Sequence, residues 1–160
     1  MQVRPADISE IDHLARVWHD AWHGSHAHLA PPELVRLRTL PNFRDRLAVL
    51  LHDIRVVGPA GAPLGFCALK GDELYQLFVS PEAHGSGVAA ALITDAEARH
   101  AARGVELAWL ACAVGNMRAA RFYEKSGWRS AGTFVMMSET SNGPFPVEQW
   151  RFEKQLARAT

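Results

Sequence analysis

Residues 74–89, Leu-Tyr-Gln-Leu-Phe-Val-Ser-Pro-Glu-Ala-His-Gly-Ser-Gly-Val-Ala, join a strand-like run to a glycine turn that opens a long alanine-rich helix. Pro81 has no N–H for a ladder, so the strand must end before it. The glycines then let the chain turn into a helix whose first N–H groups lack intrahelical partners. Such a helix start carries positive partial charge, and small residues let an anion approach the backbone closely. The segment reads as a phosphate seat.

The flanking periodicity restricts the fold further. Upstream, Asp7 and Glu10 form a capping pair, and Ile8, Ile11, Leu14, Ala15, Trp18, Ala21 and Trp22 recur at helical spacing. That stripe predicts a helix over about 8–23, ended by Gly24. Pro31-Pro32 starts a second helix through Leu34 and Leu37; Pro41 interrupts, and Phe43 to Leu51 reads as a third. The period then becomes strand-like: Ile54 to Val57, Leu64 to Leu69 and Glu73 to Val79, joined by tight turns. A helix from Ser86 to about Arg103 stops at Gly104. A buried strand over 106–112, a helix over 117–126 and two strands, 128–137 and 147–152, complete the chain. The expected order is β, helices, three β, α, β, α, two β, an α/β (α+β) fold with a mixed sheet of about six to seven strands flanked by helices.

Size and charge narrow the function. The 160 residues fit a single domain spanning 1–160, and 17 basic residues balance 17 acidic ones, which leaves no electrostatic footprint for nucleic acid or an anionic membrane. No apolar run approaches a membrane span and no signal-peptide core follows the N-terminus, so a cytoplasmic protein is expected. Cys67 and Cys112 each lie in an apolar strand-like segment and read as buried, reduced thiols. His19 and His23 have the i, i+4 spacing of a metal pair, but no third ligand accompanies them, and no metal is expected.

Gly85-Ser86-Gly87-Val88-Ala89-Ala90 formally fits the dinucleotide-binding pattern G-x-G-x-x-A. Context rejects that reading. Ser80 to His84 separate the strand from the first glycine, Glu106 opens the next strand where the ribose carboxylate should end it, and the preceding strands are joined by turns instead of helices. No Gly-Lys-Ser/Thr follows, so a P-loop is excluded as well.

A second segment decides between the remaining readings. Leu110 to Trp128 is a strand followed by N-x-x-A-x-x-F-Y-E-K-x-G-W, from Asn116 to Trp128. Together with the glycine turn it resembles the two cofactor motifs of the GNAT superfamily of acyl-CoA-dependent N-acyltransferases, and the element order over nearly the whole chain is similar to theirs. The family's loop pattern, R/Q-x-x-G-x-G/A, falls on His84-Gly85-Ser86-Gly87-Val88-Ala89, with His84 in place of arginine or glutamine. The resemblance implies that backbone groups from Gly85 to Ala89 receive the pyrophosphate of coenzyme A. It further implies that Leu77-Phe78-Val79 splays from Trp109-Leu110-Ala111 to pair with the pantetheine arm.

By the same resemblance, Asn116 contacts the cofactor, Arg121 and Lys125 approach its phosphates, and Tyr123 protonates the departing thiolate. Cys112 stands where the family has valine and reads as a small hydrophobe, not a nucleophile. The implied reaction is direct attack of a primary amine of a small molecule or amino acid on acetyl-CoA. A protein N-terminus or lysine as acceptor, and a catalytically silent acyl-CoA-binding module, remain alternatives. The general base stays open between Glu73 and a histidine of the group His19, His23, His26 and His28. Trp22, His26 and Gln76 are expected to bound the acceptor pocket, with Phe145, Trp150 and the 141–146 loop closing its other side. A homodimer is an expectation from the family.

Overall fold

The computed structural model describes residues 1–157. β1 (Val3–Pro5) leads through one 3-10 turn to α1 (Ile11–His26), α2 (Pro32–Leu37) and α3 (Leu40–Leu50). Three strands follow, β2 (Ile54–Val57), β3 (Gly65–Lys70) and β4 (Glu73–Val79). Then come α4 (Val88–Ala102), β5 (Leu107–Ala113), α5 (Met117–Lys125), β6 (Arg129–Thr140) and β7 (Gly143–Gln155). The strands form one seven-stranded sheet in the order β1-β2-β3-β4-β5-β7-β6, antiparallel throughout except where β4 meets β5. This is the mixed α/β sheet that the element order implied.

Both faces of the central strands are covered, so β3 buries side chains on two sides, while β6 at the edge alternates exposed and half-buried residues. On one face Trp18 and Leu14 of α1 pack with Phe43 and Leu47 of α3 against Val56, Phe66 and Ala68. On the other, Leu92, Ile93 and Ala96 of α4 and Tyr123 of α5 pack against Cys67, Leu110 and Phe152. The Asp7 and Glu10 pair is a complete capping box, with Ser9 N–H bound by Asp7 and Asp7 N–H bound by Glu10. Glu10 also takes two guanidinium bonds from Arg4, at 3.0 and 2.8 Å, and the Gly61 N–H at 3.0 Å, which ties the chain start to the β2–β3 turn.

Three boundaries differ from the sequence reading for local reasons. α1 runs through Gly24 to His26, because Ser25 Oγ bonds back to the Ala21 carbonyl at 2.7 Å and the His26 ring stacks on Trp22, 5.7 Å away at 12°. A glycine inside a helix costs about 1 kcal/mol, which burial of Trp22 outweighs. Pro41 does not interrupt α3 but sits in its first turn, where a missing N–H costs nothing, and Thr39 caps that turn through the Asn42 N–H. β6 and β7 are longer than expected and their turn shrinks to residues 141–142. Pro144 and Pro146 fit inside β7 because the stretch before Gln149 pairs with β6 alone, leaving one edge with no ladder to supply.

Candidate active site

One registered pair, Glu73 with Trp109, joins β4 to β5. The Trp109 N–H reaches the Asp72 carbonyl at 3.1 Å and its indole N–H reaches Asp72 Oδ1 at 2.9 Å, closing the junction at that end. Beyond it the strands part, and their facing backbone groups line a cleft of about 810 Å³ whose walls include Leu74 to Val79 and Ala111 to Ala113. The separation therefore begins two residues later on β5 than the resemblance suggested: Trp109 is still paired, and Ala111, Cys112 and Ala113 face the opening.

A bulge in β4 contributes to the separation. Ala68 registers with Gln76 but Leu69 with Leu74, so Tyr75 has no partner on β3. An extra residue bends and twists its strand. Tyr75 and Gln76 consequently both reach the cleft, together with the residues on either side of them.

At the cleft mouth Gly85 and Gly87 adopt φ of +79° and +92°, a region costly for residues with a Cβ, and Gly87 forms the left-handed N-cap of α4. Ser86 Oγ donates to the Ala83 carbonyl and pins the turn. The first helical N–H to find a backbone acceptor is that of Ala91, bound to Gly87 at 3.0 Å. The N–H groups of Val88, Ala89 and Ala90 thus stand at the helix start with no intrahelical acceptor, and those three residues line the cleft with His84, Gly85 and Gly87.

His84 is exposed at this turn; partial desolvation of its ring, then the positive charge of Arg118, hold its imidazole below its ordinary pKa, with the Val79 carbonyl opposing. The arginine on the cleft wall beside this turn is Arg118, which the sequence reading passed over. Its cue was available: Arg118 lies two residues after Asn116 in the first turn of a helix. Arg121 and Lys125 are exposed and lie off the cleft wall, as does Ser86.

Asn116 and Tyr123 come from α5. Asn116 is the helix N-cap, its Oδ1 accepting the Ala119 N–H at 3.3 Å, and its amide NH2 makes no hydrogen bond among the described residues. Tyr123 is 9% exposed and packs among Phe122, Trp128 and Phe152, yet its hydroxyl makes no hydrogen bond among the described residues. Burial, then the neighbouring Cys112, raise the phenol well above its ordinary value, so it stays protonated at neutral pH. Burial pushes the Cys112 thiol up to about 12, which suits an inert side chain and not a nucleophile.

The other half of the cleft lies under α1. Trp22, His26 and Gln76 line it, as expected from sequence, together with Arg38, Arg46 and Tyr75. Ser25 Oγ spends its proton on the Ala21 carbonyl and lies 2.5 Å from His26 Nδ1, so Nδ1 carries the ring proton and Nε2 keeps a lone pair. Burial, then His28, lower this imidazole to about 4. His19 and His23 lie outside the cleft wall; their rings meet 4.3 Å apart, but their nitrogens bond to Asp20 and to the Arg38 carbonyl. Phe145, Trp150 and the 141–146 loop do not close the far side as expected. Met136, Met137, Ser138 and Gln149 do, because the extended β6–β7 ribbon carries the turn past the cleft, and Phe145 joins the α1 core.

Glu73 is 6% exposed and lies off the cleft wall, one residue before the lining begins. Its Oε2 is buried with no hydrogen-bond partner among the described residues. Burial raises its carboxyl to about 7, with Asp72 adding to the rise and Lys70 and Arg151 opposing it.

The model of the acetyltransferase (GNAT) family matches residues 11–128. An uncharacterized N-acetyltransferase of Mycobacterium tuberculosis is 40% identical over 98 residues, which is 59% of this chain and 59% of that protein. The chain thus aligns with under two thirds of the length of these curated relatives. An uncharacterized N-acetyltransferase of Archaeoglobus fulgidus is 29% identical over 146 residues, 81% of this chain and 93% of that one. Among solved structures, a GCN5-related N-acetyltransferase from Rhodopseudomonas palustris superposes with a TM-score of 0.76 at 22% identity, covering 97% of this chain and 95% of that chain. The PaiA N-acetyltransferase of Thermoplasma acidophilum, solved with coenzyme A, superposes at 0.65 with 18% identity over 96% and 98%. These two show the fold. Among the described residues no group of three His, Cys, Asp or Glu side chains is placed to hold a metal ion, and no helix is long and apolar enough to cross a membrane. With a family match across most of its length and two strands parting above a glycine-turned helix start, this chain belongs to the GNAT family of acetyltransferases.

Proposed function

We propose that the protein is an N-acetyltransferase that moves the acetyl group of acetyl-CoA to a primary amine by direct attack. One observation carries this reading: the cleft between β4 and β5 opens onto unpaired α4 N–H groups at its mouth and onto the protonated hydroxyl of Tyr123 inside. A phosphate-bearing, amide-rich chain fits that sequence of groups. The N–H groups of 88–90 and the Arg118 guanidinium would hold the pyrophosphate, and the freed edges of β4 and β5 would take the pantetheine amides as an added strand. Two structures of similar fold bear on the donor, one solved with coenzyme A and one, from Salmonella typhimurium, with acetyl-CoA.

Residues of the cleft divide the chemistry. A freed N–H of β4 polarises the thioester carbonyl, the amine nitrogen bonds to its carbon, and the C–S bond breaks. Tyr123 then gives its proton to the departing sulfur, and the proton that the nitrogen sheds as the amide forms returns to Tyr123. A raised phenol pKa does not defeat this transfer, because the dry wall that raises Tyr123 also raises a thiol beside it, as Cys112 shows. The amine must first lose its own proton. Glu73, raised to about 7 and next in the chain to the cleft-lining Leu74, is the acceptor we assign to that proton.

Two measurements test the reading. Acetyl-CoA at 100 times its dissociation constant should stabilise the protein by about 2.7 kcal/mol, while NADH should not. Thiol release over a panel of amines should then identify at least one acceptor. Stabilisation by acetyl-CoA with no turnover on any amine would leave a silent binding module as the function.

A further inference from the structure

The acceptor half of the cleft carries two guanidinium groups with no carboxylate in ion-pair contact, Glu139 acting on Arg38 only from longer range. Arg38, at the end of α2, is 3% exposed. Both of its side-chain hydrogen bonds use Nη1, to Asn42 Oδ1 at 2.9 Å and to the Glu139 carbonyl at 2.5 Å, while its buried Nε finds no acceptor among the described residues. Arg46, on α3, lies 4.3 Å above the Trp18 ring and donates from Nη2 to the Tyr75 hydroxyl at 3.3 Å. Arg38, Arg46 and Tyr75 all line the cleft, and no Asp or Glu is among the residues that line it. Neither arginine takes part in an ion pair among the described residues.

Like charges gathered in a half-enclosed site are unfavourable, and so is a buried donor left unpaired. Burial, then Arg46, hold the Arg38 guanidinium down to about 9, with Tyr75 and Glu139 opposing weakly. The phosphates of a coenzyme do not explain the arrangement. The α4 start, His84 in the turn before it and Arg118 on α5 belong to one side of the cleft, whereas Arg38 and Arg46 come from the α1 to α3 layer. An oxyanion would complete the site. Guanidinium forks match carboxylate and phosphate oxygens in a plane, Trp18 holds Arg46 in place, and Tyr75, which accepts from Arg46, keeps its own O–H to donate.

We propose that Arg38, Arg46 and Tyr75 form an anion-recognising wall of the acceptor pocket, so that the preferred acceptor is an amine bearing a carboxylate or phosphate group, not a neutral or polycationic amine. The acceptor part of this statement rests on the acetyltransferase reading; the anion site does not. The bond changes of the transfer are unaltered, and the wall sets which amine is held against the thioester.

The test compares acceptors that differ in the anionic group alone: amino acids beside their amides, phosphoethanolamine beside ethanolamine, and spermidine as the polycation. An oxyanion-bearing amine should exceed its neutral partner in kcat/KM by about tenfold or more, the worth of one charge-assisted pair. Arg46→Gln should remove most of that ratio through the acceptor KM, leave the acetyl-CoA KM unchanged, and be partly rescued by Arg46→Lys. The two pairs separate carboxylate from phosphate. Equal use of charged and neutral partners by the wild type overturns the proposal while acetyl transfer stands. If Arg46→Gln does not fold, Tyr75→Phe and Arg46→Lys carry the same comparison. A second readout needs no turnover: the Nε–H NMR signals of Arg38 and Arg46 in the coenzyme A complex, titrated with the same compounds. Shifts with amino acids or phosphoethanolamine but not with the neutral partners, without turnover, uphold the anion site and sink the acetyltransferase reading; no shift at either arginine sinks the anion site.

Discussion

Glu73 and Trp109 form the single registered pair between β4 and β5, and the site is what lies beyond that pair. Trp109 is held from both sides, by Asp72 through two hydrogen bonds and by the Arg151 guanidinium 4.5 Å from its ring centroid. A fixed junction at one end lets the strands part at the other without unravelling the sheet.

Tyr123→Phe should lower kcat by about 100-fold or more, the range of a lost general acid. Acetyl-CoA affinity should stay within about twofold, and thermal stability should hardly move, because the hydroxyl has no hydrogen bond to lose. Thiol-release kinetics and a melting curve on the same preparation check both halves. A variant that keeps full kcat would remove Tyr123 from the mechanism.

Glu73 links activity and stability to pH in a defined direction. Its folded carboxyl titrates at about 7 against 4.5 when unfolded, so the folded state holds the proton more tightly. That contribution to stability is complete below pH 4.5 and is lost as pH rises through 7. Glu73→Gln should therefore raise the melting temperature at pH 8 more than at pH 5. It should also abolish an acidic limb of kcat/KM near pH 7; a limb that survives the substitution assigns the base elsewhere.

Glu10 behaves with the opposite sign. Hydrogen bonds from Arg4 first, and from the Asp7 and Gly61 N–H groups against the cost of burial, lower its carboxyl to about 2. Its contribution is present above pH 4.5 and disappears as pH falls through 2. Glu10→Gln, at a position 1% exposed, should destabilise the protein by roughly 2–3 kcal/mol at pH 7 and by much less at pH 2.5. Urea midpoints at the two pH values measure the difference.

Gly65 lets α4 approach the sheet. A Cβ there would lie 2.9 Å from the Phe78 carbonyl oxygen and 3.0 Å from Val88 Cγ1, and backbone cannot yield as a side chain can. Gly65→Ala should cost about 1–3 kcal/mol and weaken acetyl-CoA binding more than Gly61→Ala, which meets nothing within 4 Å. Calorimetric titration of both variants separates loss of the α4 start from general strain.

Cys112→Ala should retain acetyl transfer and show no acyl-enzyme by intact mass. Its thiol, pushed up to about 12, is almost wholly protonated at neutral pH and contacts the Asn116 carbonyl only at 3.9 Å. A trapped thioester on Cys112 would replace direct attack with a two-step route.

Much of the fold was legible because its punctuation is local. β4 appears over the residues read from sequence, Gly87 turns the chain into α4, and the Asp7 and Glu10 box closes as its spacing implied. Where local rules met tertiary contacts, the contacts prevailed: stacking of His26 on Trp22 carried α1 through Gly24, and the two-stranded end of the β6–β7 ribbon admitted Pro144 and Pro146. Within the site, Tyr123, Asn116 and the glycine turn were readable from spacing and resemblance. Arg38 and Arg46 were not, because a charged residue on a helix looks the same in sequence whether it faces solvent or a cleft.

By itself the sequence determined the order of elements and the glycine turn at 85–89 that opens α4, since proline, glycine and apolar period act on the backbone within a few residues of where they stand. The tertiary structure alone decided where β4 and β5 part, which cations face the opening, and that Glu73 is buried enough to titrate near 7. Those depend on which surfaces come together and how much water they exclude, and neither is a property of neighbours in the chain.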